Sequence, residues 1–277
     1  MVWFFSITDL ITFLNLQIKM NLEYKKWVDN EYTSWEKSLI NIIKSERDFF
    51  NFKSNDWVKR MVGTSSLEGL FITDNSDLPW DEIQKIDQIG NPPETERVLK
   101  IYDISTISLR YVHYANKILD IIKNYPEIRI VEIGGGYGGM CAILNCIAKY
   151  RKIKIDSYGI YDLKGVQEFQ NYYLKKINQT TDIGIESVDF LDPNNLDLFT
   201  ESYNYVISFY ALGEFDEETK YNYISKVISK IKNGFILWNP HRSKDTKGED
   251  LLLSYHPNAN IKKEEPLTSE HNLEIII

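Results

Sequence analysis

Residues Ile128 to Met140 read Ile-Arg-Ile-Val-Glu-Ile-Gly-Gly-Gly-Tyr-Gly-Gly-Met, and no other stretch limits the fold as much. The run Ile128 to Ile133 is short and rich in β-branched residues, with Pro126 before it and glycine after it. That is the pattern of a buried strand in a parallel sheet. The glycine cluster then gives way to Met140-Cys141-Ala142-Ile143-Leu144, an apolar opening for a helix. A strand, a glycine turn and a helix expose backbone N–H groups at the carboxyl end of the strand, where a nucleotide-like ligand can approach without meeting a Cβ.

The chain after this unit alternates strand and helix. Lys154 to Tyr161 is a second strand ending at Asp162, Leu163 to Ile177 a helix, and Ile183 to Val188 a third strand followed by Asp189-Phe190. Tyr205 to Tyr210 is a fourth strand, Asp216 to Ile231 a helix, and Phe235 to Trp238 a fifth strand after an Asn233-Gly234 helix stop. Gly248 to Tyr255 reads as a short helix, and Asn260 to Glu264 with Leu273 to Ile277 as a closing strand pair. The rhythm implies an α/β fold, a Rossmann-like doubly wound sheet of seven strands. Upstream the patterning is helical. Apolar and aromatic positions from Leu22 to Phe50 fall at three- and four-residue steps, with a break expected near Thr33-Ser34. Leu78-Pro79-Trp80 opens another helix, Gly90-Asn91-Pro92-Pro93 is a turn or linker, and Thr106 to Lys123 is the helix that leads into the first strand. We divide the chain into a helical extension, residues 1–105, acting as a cap that shapes an acceptor pocket, and an α/β domain, residues 106–277.

A chain of 277 residues with 43% hydrophobic and 13% aromatic content can bury a large core. A net charge of −8 gives no general attraction to nucleic acid or to an anionic membrane. The two cysteines, Cys141 and Cys146, share one helix, are not placed to bridge, and have no zinc-type spacing. Reduced thiols and a cytoplasmic location are the expectation. Met1 to Ile18 is apolar but lacks a basic leader and a cleavage site, and carries Asp9, Thr12, Asn15 and Gln17. It reads as an amphipathic helix packed on the body or a partner, without stable membrane insertion.

In an open α/β sheet the ligand lies outside the carboxyl ends of the strands. After the first strand comes the glycine loop, Gly134, Gly135, Gly136, Tyr137 and Gly138. After the second comes Asp162, with Leu163, where a carboxylate can accept from both hydroxyls of a ribose; a plain helix cap is the alternative. Asp189 and Phe190 follow the third strand and suit an adenine, the acid accepting from its amino group and the ring lying against the base. After the fourth come Ser208, Phe209, Tyr210 and Glu214, and after the fifth Asn239, Pro240, His241 and Arg242. Gly134-x-Gly136-x-x-Gly139 alone also fits a dinucleotide fingerprint, so an NAD-dependent dehydrogenase is a second enzyme reading.

With Glu132 included, the loop reads Glu-x-Gly-x-Gly-x-Gly and resembles motif I of the class I S-adenosylmethionine-dependent methyltransferases. The longer phrase Val131 to Gly139 is similar to the signature of the sugar O-methyltransferases of polysaccharide and glycan modification clusters. Asp162-Leu163 with Phe169-Gln170 and Tyr173-Leu174, Ser208 to Glu214, Asn239, His271-Asn272, Ile89 to Pro92 and Leu109-Arg110-Tyr111 extend that likeness from about Trp35 to the C-terminus. Gly165 departs from it, standing where the family often has an acid. The resemblance implies a methyltransferase sheet, S-adenosylmethionine as cofactor with Glu132 toward its methionine end and Ser208 among its contacts, and a sugar or glycan acceptor, free or nucleotide-linked. Arg110 and Tyr210 are the expected acceptor contacts. His241 is the expected general base with Glu214 orienting the hydroxyl, since neutral imidazole suits proton removal near pH 7. No pair of acids is spaced for a metal. Another small-molecule acceptor, a catalytically silent partner-binding subunit, and a homo-oligomer remain open alternatives.

Overall fold

The computed structural model describes residues 34–277 apart from positions 57, 60–68, 72, 74, 182, 184, 186, 201 and 240–245. The Met1 to Ile18 helix, the Thr33 break, Pro240, His241 and Arg242 therefore lie outside the described residues.

The first described elements are α1 (34–43) and α2 (Glu46–Phe50). They are separated at Lys44-Ser45, because the Ser45 side chain accepts from the Asp48 N–H and starts a new helix. Helix α3 (Trp80–Gln88) follows, then a hairpin the sequence reading did not foresee, β1 (Glu96–Val98) against β2 (Tyr102–Ile104). Helix α4 (Thr106–Ile122) begins behind a Ser105 cap. The α/β units are then β3 (Arg129–Ile133), α5 (Gly139–Tyr150), β4 (Ser157–Tyr161), α6 (Lys164–Thr180), β5 (Asp189–Leu191), β6 (Tyr205–Phe209), α7 (Ala211–Glu214), α8 (Glu217–Lys226), β7 (Gly234–Trp238), α9 (Thr246–Tyr255), β8 (Asn260–Lys263) and β9 (Leu273–Ile276).

The main sheet has seven strands in the order β5-β4-β3-β6-β7-β9-β8. The first five are parallel and the β9-β8 end is antiparallel. Strand order reverses between β3 and β6, so the crevice for a ligand opens outside those two strands. Register aligns the edge: Ile133 pairs with Tyr161 on one side and Ser208 on the other, and Phe209 pairs with Leu237. The loops starting at Gly134, Asp162, Tyr210 and Asn239 thus leave the sheet at nearly one level.

One sheet face, with Ile130, Ile160, Ile207 and Phe235, is covered by α4, α5 and α6; the other, with Val131, Ile133, Val206 and Ile236, by α8 and α9. The N-terminal helices share the first of these cores. Phe52, fully buried, lies 5.5, 5.1 and 5.6 Å from the rings of Tyr137, Phe169 and Tyr173. A buried ion pair ties the same region down: Lys53 Nζ donates to Asp87 Oδ1 at 3.1 Å, and that carboxylate also accepts from the Ser105 N–H and hydroxyl and from the Ser108 hydroxyl. The boundary drawn at residue 105 therefore cuts through continuous packing. A chain starting near Thr95 would lose Phe52 and Trp80, each worth about 3–5 kcal/mol when truncated to Ala. Among the described residues no helix is long and apolar enough to cross a membrane.

Candidate ligand cleft at the carboxyl edge of the sheet

The glycine turn is shaped largely by the protein around it. Gly134 (φ +77°), Gly136 (φ +57°) and Gly138 (φ +94°) occupy the left-handed region, which explains glycine at those three places. A Cβ on Gly134 would also stand 2.2 Å from the Ala211 Cβ, so the loops after β3 and β6 touch where the strand order reverses. Gly135 lies under Ile160 and Gln170, where a Cβ would find contacts of 2.9 and 3.0 Å. A Cβ on Gly139 would stand 2.6 Å from the rings of Tyr111 and Tyr137. Tyr137, expected among the cofactor contacts, turns its side chain inward: it is fully buried, 5.2 Å from Tyr173 and 6.0 Å from Tyr111. It anchors the turn from below. Helix α5 starts at this turn with Gly138 at its cap and no side chain capping it.

Two acids stand beneath and beside the turn. Glu132 is buried on the α5 side of β3, its Oε2 accepting from the Tyr158 hydroxyl at 2.8 Å. Burial pushes its carboxyl up to about 8, against the pull of the Tyr158 hydrogen bond and with help from the charge of Asp162. Asp162 is half-buried at the end of β4. Its Oδ1 accepts from the Leu163 N–H at 2.8 Å, and its Oδ2 from Gln170 Nε2 at 2.9 Å. Gln170 Nε2 also donates to the Gly136 carbonyl at 2.8 Å, so one amide links the acid to the turn. Desolvation raises the Asp162 carboxyl to about 7, offset by the hydrogen bonds from Leu163, Gln170, Gly135 and Gly136.

The other half of the cleft is assembled from distant sequence. Tyr210 leaves β6 with φ +66°. Its hydroxyl donates to Glu264 Oε1, which also accepts from the Tyr114 hydroxyl at 2.8 Å. Glu264 Oε2 takes the Thr268 N–H at 3.2 Å and hydroxyl at 2.5 Å, and Asn272 Nδ2 at 3.0 Å. This buried carboxylate fastens α4, the end of β6 and the β8–β9 connection together. The Arg110 guanidinium lies 5.2 Å from the Tyr210 ring and 5.8 Å from the Tyr111 ring. Glu214, closing α7, is an exposed residue at the carboxyl edge of the sheet; partial desolvation raises its carboxyl, while a hydrogen bond with Asn239 and the Arg110 charge oppose the rise. The Asn239 carbonyl and Oδ1 would each lie 2.2 Å from a Cβ on Gly213, so the loops after β6 and β7 are in direct contact.

The structure thus brings Glu132, Gly134 to Gly138, Asp162 and Leu163 together on one side, and Arg110, Tyr210 and Glu214 on the other. Two expectations shift. Strand β5 begins at Asp189 instead of ending before it, and Asp189 pairs with Gly159, inside the sheet edge. Its Oδ2 is held by the Tyr203 hydroxyl at 2.9 Å, so the acid at the carboxyl end of this strand is Asp192, while Phe190 packs partly against the helical core. Ser208 is buried and donates to the Ile133 carbonyl at 3.0 Å, a brace between β3 and β6. His241 lies outside the described residues. Sequence reading passed over Glu264 and Tyr114, whose partners are far away in the chain. It noted Gln170 only as a point of likeness, although its place two turns into α6 faces it back to Asp162.

The sequence matches no protein-family model and no curated protein. Solved structures do resemble the chain. The methyltransferase domain of a bacterial CtHen1 superposes with a TM-score of 0.43 at 11% identity, covering 59% of this chain and 96% of that one. Magnesium protoporphyrin IX methyltransferase from Synechocystis PCC 6803, with bound S-adenosylmethionine, gives 0.43 at 16% identity over 61% and 81%. An O-methyltransferase family protein from Burkholderia thailandensis gives 0.39 at 13% over 60% and 56%. Likeness at this level carries no chemistry from those proteins to this one.

Proposed function

We propose that this chain is an S-adenosylmethionine-dependent O-methyltransferase whose acceptor is a hydroxyl of a sugar or glycan, free or nucleotide-linked. The observation that carries the reading is the glycine turn between β3 and α5 joined to Asp162 through Gln170 and the turn's own N–H groups. The residues present fit the cofactor. Asp162 offers a half-buried carboxyl group to the ribose hydroxyls, and Leu163 lies beside it for the base. The uncapped start of α5 and the turn favour the carboxylate of a methionine moiety, with Glu132 supporting the turn from below. Bound there, the cofactor supplies a sulfonium methyl group that needs no further activation.

The chain's remaining task is to align the hydroxyl and take its proton. Glu214 is placed for the second part, on the loop that leaves β6 at the carboxyl edge of the sheet, and a carboxyl group raised above its ordinary range is the stronger base. Asn239 hydrogen-bonds to it, the Arg110 charge acts on it from α4, and Tyr210 leads into the same loop. His241, two residues past Asn239 in the sequence, is the other candidate for the proton. The sugar as carrier of the hydroxyl rests on the segmental resemblance of the sequence alone.

Calorimetry with S-adenosylhomocysteine and NAD, each added to the full chain, tests the cofactor. Binding of the first and silence with the second is the expected outcome. The converse would make the chain a dehydrogenase, and no binding of either would remove the enzyme reading.

A further inference from the structure

Helix α6 carries no cap of its own. Leu163 stands at its N-cap without a side-chain hydrogen bond, and its first turn contains no acidic residue. The missing acceptor comes from the N-terminal part of the chain. Glu36, on α1, accepts from the Gly165 N–H through Oε1 at 2.8 Å. A Cβ on Gly165 would lie 3.0 Å from the Glu36 Cβ and 3.1 Å from the Ile40 Cδ1. Glycine is therefore what lets α1 lie this close to the start of α6. An acid from another helix thus reaches this helix end.

The first turn of α6 is also one wall of the cleft. Asp162 and Leu163 lead directly into it, and Gln170, farther along the same helix, donates to both Asp162 and the Gly136 carbonyl. An acceptor at a helix N-terminus satisfies a donor the helix itself leaves open and interacts favourably with its dipole. Holding this turn thus holds the acid and the glycine loop in one arrangement.

We propose that Glu36 is a positioning residue for the cofactor: it fixes the first turn of α6 and so sets Asp162 and Gln170 for the ribose. The inference rests on the reading of Asp162 as the ribose acid. It makes α1 part of the cofactor half of the site, beyond the acceptor cap expected of the N-terminal segment. Binding and α1 docking are then linked, each strengthening the other.

The test measures S-adenosylhomocysteine affinity and thermal midpoint for the full-length wild type and for Glu36→Ala, Glu36→Gln and Gly165→Ala. Glu36→Ala is expected to raise Kd about fivefold or more, the scale of a lost helix cap. Glu36→Gln keeps an acceptor oxygen and is expected to stay within about twofold of wild type, since most of the effect is assigned to the hydrogen bond. Gly165→Ala, which pushes against Glu36, is expected to weaken binding as Glu36→Ala does, and it serves if the latter fails to fold. A lowered midpoint with wild-type affinity in both Glu36→Ala and Gly165→Ala would overturn the proposal, leaving Glu36 a stabilising cap only. A wild type that binds no S-adenosylhomocysteine would instead defeat the cofactor reading, and this inference with it.

Discussion

The two halves of the cleft are built by opposite means. On the β3–β4 side the chemistry comes from consecutive residues: a strand, a turn, and an acid at the end of the next strand. On the β6–β7 side it comes from Arg110 and Tyr114 on α4, Tyr210 after β6, and Glu264, Thr268 and Asn272 between β8 and β9. The first half is fixed mainly by backbone geometry, with three left-handed glycines. The second is fixed by a buried carboxylate whose hydrogen bonds span much of the chain. A local turn keeps one ligand geometry through many changes elsewhere. A side-chain assembly can be rebuilt one residue at a time, and so can adapt to different acceptors.

If that division holds, changes on the acceptor side should affect chemistry and leave cofactor affinity alone. Glu214→Gln is expected to slow single-turnover methyl transfer by about 10²–10⁴ while S-adenosylhomocysteine binds as in wild type. His241→Asn run in parallel identifies the proton acceptor by the larger loss; near-wild-type rates in both variants would take proton removal away from these loops. Next in size is Glu264→Ala, which strands the Tyr114 and Tyr210 hydroxyls and the Asn272 amide. A loss of about 3–5 kcal/mol in urea unfolding is expected, as for breaking a buried charged contact. A loss under about 1 kcal/mol would show that Glu264 does not organise this side.

On the cofactor side Asp162→Ala should weaken S-adenosylhomocysteine binding by about 1–3 kcal/mol, and an unchanged Kd would separate the turn from the ribose. The smallest effect is in pH. The Asp162 carboxyl sits at about 7 against an ordinary 3.8 because burial disfavours its charge. The folded chain therefore holds a proton that the unfolded chain has lost, so this group's contribution to stability declines as pH rises from 3.8 to about 7 and levels off above. Ribose recognition needs the charged form, so affinity moves the other way, improving about tenfold from pH 6 to pH 8. Calorimetry across that range checks it. A flat profile would mean that Asp162 is already ionised before the ligand binds.

The same contrast explains what could be read in advance. The sheet was legible because its buried strands are short apolar runs alternating with helical periods. The turn at Gly134 to Gly138 and Asp162 were legible because their spacing along the chain is their spacing in the fold. Strand β5 was misplaced because Asp189-Phe190-Leu191 has an acid where a strand-end reading expects a loop, and pairing with Gly159 to Tyr161 overrides it. Glu264 and Glu36 left no mark, since a carboxylate on a strand end or a helix looks the same in sequence whether it meets water or a buried hydroxyl. The glycines were read too simply. Gly134, Gly135 and Gly139 each fit close to a protein neighbour, so their abundance speaks of packing as well as of a ligand.

The buried Lys53–Asp87 pair has a consequence for how the molecule is made. During synthesis Lys53 emerges well before Asp87, and both precede Ser105, Ser108 and the rings of Tyr137, Phe169 and Tyr173 that surround Phe52. Until residues near Tyr173 have left the ribosome, Phe52 has an aromatic face without its full cover. The packing around Phe52 is therefore complete only once the glycine turn and α6 have been made. The beginning of the chain is completed by its middle.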